Sequence, residues 1–129
     1  MNGLITLACK SGPRETLARL EAEIRARGMT LFARIDHAAG AAEAGLSLRP
    51  TEVVIFGNAR AGTPLMEASQ TAGIDLPLKV VVWQDAAGKT WLAYNDPAWI
   101  AGRHAITGAD RIITAMAQTL QAVAAAAAG

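Results

Sequence analysis

The spacing of the apolar residues changes several times along this chain, and this alternation most constrains the fold. Two segments place apolar residues three or four positions apart, which is the spacing of a helix with one buried face. Five shorter segments are continuously apolar or alternate with polar residues, which is typical of β-strands. The helical segments contain Leu17, Leu20 and Ile24 near the start, and Ile112, Met116, Leu120 and Val123 near the end. The predicted strands are residues 3–8, 30–36, 53–56, 78–84 and 90–95.

Short local signals predict where these elements begin and end. Ser11 is predicted to cap the first helix, with Pro13 tolerated in its first turn, and Gly28 ends it. Thr63 followed by a proline predicts the start of a short helix. Residues 85–88 predict a turn, so the last two strands should form a hairpin.

The order of elements is a strand, a helix, four strands interrupted by a short helix, and a final helix. This β-α-β(4)-α order predicts an α+β fold, with a mostly antiparallel sheet and helices packed on one face. The alanine-rich segment 38–45 is too short to predict a helix. A chain of 129 residues fits a single domain over residues 1–129, with a final helix over about 108–126.

Composition excludes several classes of function. The net charge of +1 gives no general attraction to nucleic acid or to an anionic membrane. The single Cys9 cannot form an internal disulfide, and the two histidines lack a metal-ligand spacing, so neither a metal nor a cofactor is predicted. No signal peptide or membrane-spanning segment is recognised, so the expected location is the cytoplasm.

Several sequence blocks resemble the domain of unknown function 302 family. They agree in order and spacing over about residues 3–104, and together they are more specific than any single motif. Ala59 and Gln84 depart from the family pattern, but the order and spacing of the blocks are unchanged. The blocks are Asp36-His37, Leu48-Arg49-Pro50-Thr51-Glu52, Phe56-Gly57-Asn58, Gly62-Thr63-Pro64-Leu65-Met66, Leu76-Pro77-Leu78-Lys79, Trp83-Gln84-Asp85 and Tyr94-Asn95-Asp96-Pro97.

The resemblance carries expectations about fold and assembly only. It implies a β-α-β(4)-α sheet of the TATA-binding-protein-like or helix-grip type, in agreement with the order of elements derived above. It also implies frequent homodimers. It implies no activity, substrate or cofactor.

Two polar residues at predicted strand ends are candidate ligand contacts. His37 follows a strand and Asp36, and its imidazole ordinarily titrates near neutral pH. It could be an acid or base, or simply bond to a loop carbonyl. Asn58 follows the strand at 53–56, where asparagine usually closes a turn. Alternatively, its amide could contact a ligand beside the free N–H groups of a helix start, which favour anions.

Lys79 and Tyr94 complete the set of candidate ligand-binding residues. Lys79 should share a strand face with apolar residues, so it either extends to solvent or, if it points inward, pairs with Glu52 or Tyr94 or contacts a ligand. Antiparallel pairing of the strands at 53–56 and 78–84 would bring Asn58 near Lys79 and leave Glu52 about 20 Å away. His37 would join them only if the strand at 30–36 were parallel to the strand at 53–56.

Three functions remain open. The first is a non-catalytic module that binds a small ligand or a partner between the sheet and the long helix. The second is an enzyme that uses His37 as acid or base, with Asn58 or Lys79 stabilising an anion. The third is a homodimer module with an interface built from Trp91, Trp99 and the alanine-rich final helix. The absence of a complete catalytic set favours the first.

Overall fold

A computed structural model describes residues 2–129 of the chain as a five-stranded sheet with helices. The strands lie in the order β1-β5-β4-β3-β2, and every neighbouring pair is antiparallel. The α+β class predicted from the sequence is therefore confirmed. The strands are β1 (Leu4–Ala8), β2 (Thr30–Asp36), β3 (Thr51–Gly57), β4 (Leu78–Gln84) and β5 (Thr90–Asn95).

Two long helices pack against each other across one face of the sheet. The first contacts β2 and β4, and the last contacts β1 and β5, so together they span the width of the sheet. Three short helices and one 3₁₀-helix lie in the connections. The helices are α1 (Pro13–Ala26), α2 (His37–Glu43), α3 (Ala59–Ala68), α4 (Pro97–Arg103) and α5 (Asp110–Ala128), with the 3₁₀-helix at Gln70–Ile74.

The core lies between the two long helices and the sheet. The predicted stripe of α1 is buried there, and so is that of α5 except for Ile112, which is only half-buried. Each fully buried aliphatic or aromatic side chain contributes about 1.5–3 kcal/mol relative to an exposed one. The largest fully buried apolar side chains are Leu20, Ile24, Val54, Phe56, Leu65, Val80, Val82, Leu92, Leu120 and Val123.

Two predicted helix starts are wrong. The N-cap of α1 is Gly12 rather than Ser11, and no side chain caps it. Helix α3 begins at Ala59, before the predicted start at Thr63, and Pro64 lies inside it. Helix α3 begins early because Asn58 caps it. The Asn58 Oδ1 accepts a hydrogen bond from the backbone N–H of Arg60 at 2.9 Å.

Helix α2 was not predicted from the sequence. It starts because the Asp36 carboxylate accepts a hydrogen bond from the backbone N–H of Ala39 at 2.9 Å, which caps its first turn. No residue of α2 is buried. The helix therefore lacks the apolar stripe by which a helix is recognised in a sequence.

Close packing at the start of β1 occupies one of the tryptophans. Gly3 adopts a φ of +75°, and a Cβ placed on it would come within 2.2 Å of the Trp99 ring. The Arg103 guanidinium lies over the Trp99 ring, 5.6 Å from its centroid. Trp99 is thus engaged within the chain, and only a glycine fits beneath it.

Candidate functional site

A cavity of about 770 Å³ lies between α3, the first half of α5 and the adjoining ends of β3 and β4. Its size falls within the range of small-molecule sites in proteins. Most of its wall is apolar, and three of the apolar residues are methionines, whose flexible side chains adapt to ligands of different shape. The apolar wall includes Met29, Phe32, Met66, Leu76, Pro77, Leu78, Ile112 and Met116.

The cavity stays open because small residues line it where the helices face each other. Ala61 and Gly62 of α3 and Ala115 of α5 contribute little side-chain volume. A Cβ placed on Gly62 would be in ordinary contact, 3.9 Å from Leu76 and from Met66. Larger residues at these positions would extend into the cavity, so small side chains on two elements maintain it.

Two polar side chains of the wall lie at the start of α3. They are Asn58 and Arg60, which are both exposed, and Arg27, which follows α1, also lines the cavity. Arg27 pairs with Glu23 at 3.3 Å. Thr63 and Thr119 are the other polar lining residues. Among the lining residues that the structure describes, none carries a carboxylate.

His37 lies at the opposite end of β3 from Asn58. Because β2 and β3 are antiparallel, Asp36 pairs with Glu52 and Thr30 pairs with Gly57. At about 3.4 Å per residue, the separation of His37 from Asn58 is roughly 20 Å. His37 is exposed at the start of α2. The structure therefore does not assemble the grouping of His37 with Asn58 and Lys79 that an acid–base site would need.

Lys79 points to the side of the sheet that the long helices do not cover. Its Nζ donates a hydrogen bond to the backbone oxygen of Pro77 at 2.9 Å. Partial burial lowers the pKa of the Lys79 ammonium, and the nearby Asp75 carboxylate offsets part of that effect. Lys79 pairs in register with Ile55 of β3, whereas Glu52 pairs with Val82.

Tyr94 lies on the covered side of the sheet, opposite Val80. Burial raises the pKa of its phenol, and the negative charge of Asp96 adds to this rise. Neither Tyr94 nor Lys79 lines the cavity. Of the four predicted ligand contacts, the structure brings only Asn58 to it.

A second polar group, which we call the His104 cluster, consists of Thr71, Asp75, Arg103 and His104. The His104 Nδ1 lies 2.8 Å from the Thr71 Oγ1, and its Nε2 is hydrogen-bonded to the Asp75 carboxylate. Arg103 Nη1 donates to both oxygens of that carboxylate, at 3.0 and 3.1 Å. The cluster ties the 3₁₀-helix to the end of α4.

The His104 cluster was missed because its members are far apart in the sequence. A hydroxyl, an imidazole and a carboxylate in a row can activate a nucleophile. None of the four residues lines the cavity, however. We therefore interpret the cluster as a structural clamp.

The side of the sheet opposite the long helices is also apolar, and we call it the open face. Its residues form rows across the strands, as the row Ile35, Val53, Val81, Ala93 and Thr6 illustrates. Within this row only Ala93 is buried, and the other four residues are half-buried or exposed. Ile35 and Leu4 are 44% and 51% exposed, which is unusual for large apolar side chains in a sheet. The open face consists of Leu4, Thr6, Ala8, Ala33, Ile35, Thr51, Val53, Ile55, Lys79, Val81, Trp83, Trp91, Ala93 and Asn95.

This arrangement changes the predicted composition of a dimer interface. Trp91 lies on the open face, as a contact surface requires. Trp99 instead packs on Gly3, and Ala124, Ala127 and Ala128 of the final helix are buried within the chain. Part of the predicted interface is therefore used within the chain, whereas the open face is apolar surface that is not.

Within residues 2–129, we find no helix that combines the length and the apolar character needed to cross a membrane.

Comparison with known sequences identifies the family. A family model described as "Domain of unknown function DUF302" matches residues 5–126. A crystal structure of an uncharacterized conserved protein, DUF302, from Bacillus stearothermophilus superposes with a TM-score of 0.87. The match covers 98% of this chain and 99% of that chain at 21% sequence identity, and so supports the fold alone.

Longer proteins contain a region similar to this chain. A fluoride-specific ion channel, FluC 1, of Brucella suis biovar 1 is 49% identical over 105 residues, which are 81% of this chain and 41% of that protein. The FluC 2 protein of Brucella melitensis biotype 1 is equally similar, and the match covers 39% of it. The chain thus spans about two-fifths of the length of these curated relatives.

Proposed function

This chain belongs to the family of domain of unknown function DUF302, and we propose that it is a module that binds a small, largely apolar ligand. The observation that carries the proposal is the cavity of about 770 Å³ between α3 and α5. A pocket of this size with an apolar wall and a few polar groups at one end is the usual form of a small-molecule site.

The lining supports binding rather than acid–base chemistry. Its polar side chains are amides, hydroxyls and guanidinium groups: Asn58, Thr63, Thr119, Arg27 and Arg60. None of these side chains ordinarily exchanges a proton near neutral pH. They can orient a ligand by hydrogen bonds without taking part in a reaction.

Titration with the neutral, fluorescent apolar dye Nile red tests the proposal. We expect saturable binding to the wild-type protein and a loss of at least about tenfold in affinity for Ala115→Trp, because the indole would occupy the cavity. Thr114→Trp is the matched control, since Thr114 is exposed on α5 and does not line the cavity. Absence of saturable binding, or equal affinity of Ala115→Trp and the wild type, would contradict the proposal.

The relatives named as fluoride channels support the role of an accessory module. The matched region is 41% of the Brucella suis protein and 39% of the Brucella melitensis protein, so in each it is one part of a longer chain. We propose that this chain likewise acts together with a partner. Fluoride is a poor ligand for the cavity itself, because a small, strongly hydrated anion gains nothing from an apolar wall. Fluoride titration of the isolated chain should therefore leave its melting temperature unchanged.

The open face favours a second candidate function, which is homodimerisation. An apolar sheet face is ordinarily covered, and no helix buries this one. We propose that a second copy of the chain covers it. The face is self-complementary, because its central row is uncharged and Lys79 is its only ionisable residue.

The dimensions of the open face suit such an interface. Five strands at about 4.8 Å and about six residues at 3.4 Å give roughly 24 by 20 Å in projection. This projected area of about 480 Å² is smaller than the accessible surface of the pleated side chains, of which a stable interface buries roughly 800 Å² per partner. Two sheets stacked face to face would then lie about 10 Å apart.

Light scattering tests this second candidate. We expect a mass about twice the 13.4 kDa of one chain for the wild type, and the mass of one chain for Val81→Arg. The charge would be buried without a partner at the centre of the interface, which accounts for the dissociation. Gln118→Arg, on the exposed surface of α5, is the control and should remain dimeric. A wild-type protein that stays monomeric at high concentration would reject the homodimer.

A further inference from the structure

We infer that the ligand of the α3–α5 cavity is an amphipathic anion, with its anionic head beside Arg60 and Asn58 and its apolar chain among the methionines. This inference rests on the proposed function and specifies the class of ligand. A medium-chain carboxylate and an alkyl sulfate share the required chemistry, and both are simple probes of it.

The charged side chains of the cavity wall are all positive. Two arginines line it, and no lining residue among those described is acidic. Arg27 already pairs with Glu23, which does not line the cavity. Arg60 has no ion pair with any residue in 2–129. An anion at this position would therefore meet a guanidinium group that no carboxylate of the chain neutralises.

Neutral hydrogen-bond donors precede Arg60 at the start of α3. The Asn58 Oδ1 is occupied as the cap of α3, which leaves the two hydrogens of its Nδ2 available to a ligand. Ala59 is the first residue of α3, so its N–H has no partner within the helix. Both residues line the cavity. All the donors at this end favour an acceptor, and the helix start adds a partial positive charge.

The donors at the start of α3 share the cavity with a large apolar wall, which includes Met66, Leu76, Ile112 and Met116. A ligand that is charged throughout would leave this wall without favourable contacts, and a wholly apolar ligand would leave the donors unpaired. An amphipathic anion satisfies both the donors and the apolar wall.

Binding of four ten-carbon compounds, each below its critical micelle concentration, tests the inference. The compounds are decanoate, decyl sulfate, decanol and decyltrimethylammonium, and calorimetry measures their affinities. We expect decanoate and decyl sulfate to bind at least about tenfold more tightly than decanol, and the cation to bind most weakly. Affinity within the carboxylate series should rise about fourfold for each added methylene until the cavity is full.

Variants assign the anionic head to its position. Arg60→Gln should reduce the affinity for decanoate about tenfold and leave that for decanol unchanged. Arg27→Gln should have a smaller effect, because Arg27 already has a partner in Glu23. Arg49→Gln is the matched control, since Arg49 is exposed and lies outside the cavity. Rising salt should weaken the binding of decanoate but not that of decanol.

The outcomes separate this inference from the proposed function. If decanol binds as tightly as decanoate and Ala115→Trp blocks both, the cavity binds ligands and the anionic class is wrong. If decanoate outperforms decanol but Arg60→Gln and Arg49→Gln behave alike, the assignment of the head to Arg60 is wrong. If no compound binds, the proposed function fails together with the inference.

Discussion

The two faces of the sheet have similar composition and very different surroundings. Along β3, Val54 and Phe56 point to the long helices and are fully buried, while Val53 and Ile55 point to the open face and are only half-buried. Apolar residues on both sides of a strand usually mean that both sides are covered. Only one side of this sheet is covered, because the chain has two long helices and both pack on the same side.

We expect the covered face to provide most of the stability of one chain, and the cavity and the open face to provide the binding surfaces. The covered face holds the core, and the cavity opens at its edge, where α3 and α5 diverge. The open face holds no core within one chain, so its apolar residues contribute to folding less than their number suggests. We expect its full contribution only when a partner covers it.

The largest expected effect comes from comparing neighbours on opposite faces of β3. Phe56→Ala should lower the free energy of unfolding by about 3–5 kcal/mol, since it leaves a cavity in the covered core. Ile55→Ala should lower it by about 1 kcal/mol in the monomer, because this side chain is half-buried. Urea denaturation at low protein concentration measures both.

Measuring the stability of both variants over a series of protein concentrations tests whether a second copy covers the open face. If a second copy covers the open face, the cost of Ile55→Ala should grow with protein concentration, whereas that of Phe56→Ala should not. Equal costs for the two variants at low concentration would show that the two faces do not differ as described.

An intermediate effect is expected at the His104 cluster, which fastens the 3₁₀-helix on the side of the cavity. Asp75→Asn should destabilise the protein by about 1–3 kcal/mol, because it weakens the contacts of the carboxylate with His104 and Arg103. Thr71→Val should cost less, about 1 kcal/mol, since it removes one neutral hydrogen bond. Hydrogen exchange of residues 70–75 should accelerate in both variants, and unchanged exchange would argue against a clamp.

The smallest effect is expected beside the open face, where Asp85 in the turn after β4 accepts a hydrogen bond from the Trp91 Nε1 at 2.8 Å. That bond, followed by the backbone N–H of Lys89, holds the pKa of Asp85 below its usual value of 3.8. The folded-state pKa is depressed, so the contribution of Asp85 to stability is present above about pH 3.8 and disappears as the pH falls through the folded value.

The NMR signal of the Trp91 indole N–H reports this titration directly. It should shift as the pH falls through the lowered pKa of Asp85, and Asp85→Asn should abolish the shift. The signal of Trp99, which packs on Gly3, is the internal control and should not follow the same curve. A Trp91 signal that titrates unchanged in Asp85→Asn would disprove the assignment.

Part of the candidate site could be predicted from sequence, and part could not. Asn58 was identified because a polar residue between a buried strand and a helix start has few possible roles, and the structure gives it both capping and cavity-lining positions. Local sequence signals favoured His37 to the same degree, because it also follows a predicted strand. Its distance from Asn58 depends on the direction of β2 relative to β3, which no local signal contains.

The His104 cluster and the cavity likewise could not be predicted from local sequence patterns. Asp75 and His104 are 29 residues apart, and the Thr71 hydroxyl meets the imidazole only because α4 returns beside the 3₁₀-helix. The cavity depends on small residues from α3 and α5, which belong to different parts of the chain. Local patterns report on neighbours in sequence, and these contacts join residues that are neighbours only in space.

The alternation of apolar spacing by itself determined the order of the five strands and the two long helices, and most of the buried stripes of α1 and α5. That is possible because a helix and a strand expose their residues with different periods, which are properties of the local backbone. Only the tertiary structure decided which apolar face of the sheet is covered, and where a cavity remains. Both faces of β3 are apolar in the sequence, so the choice between them depends on how two distant helices pack together.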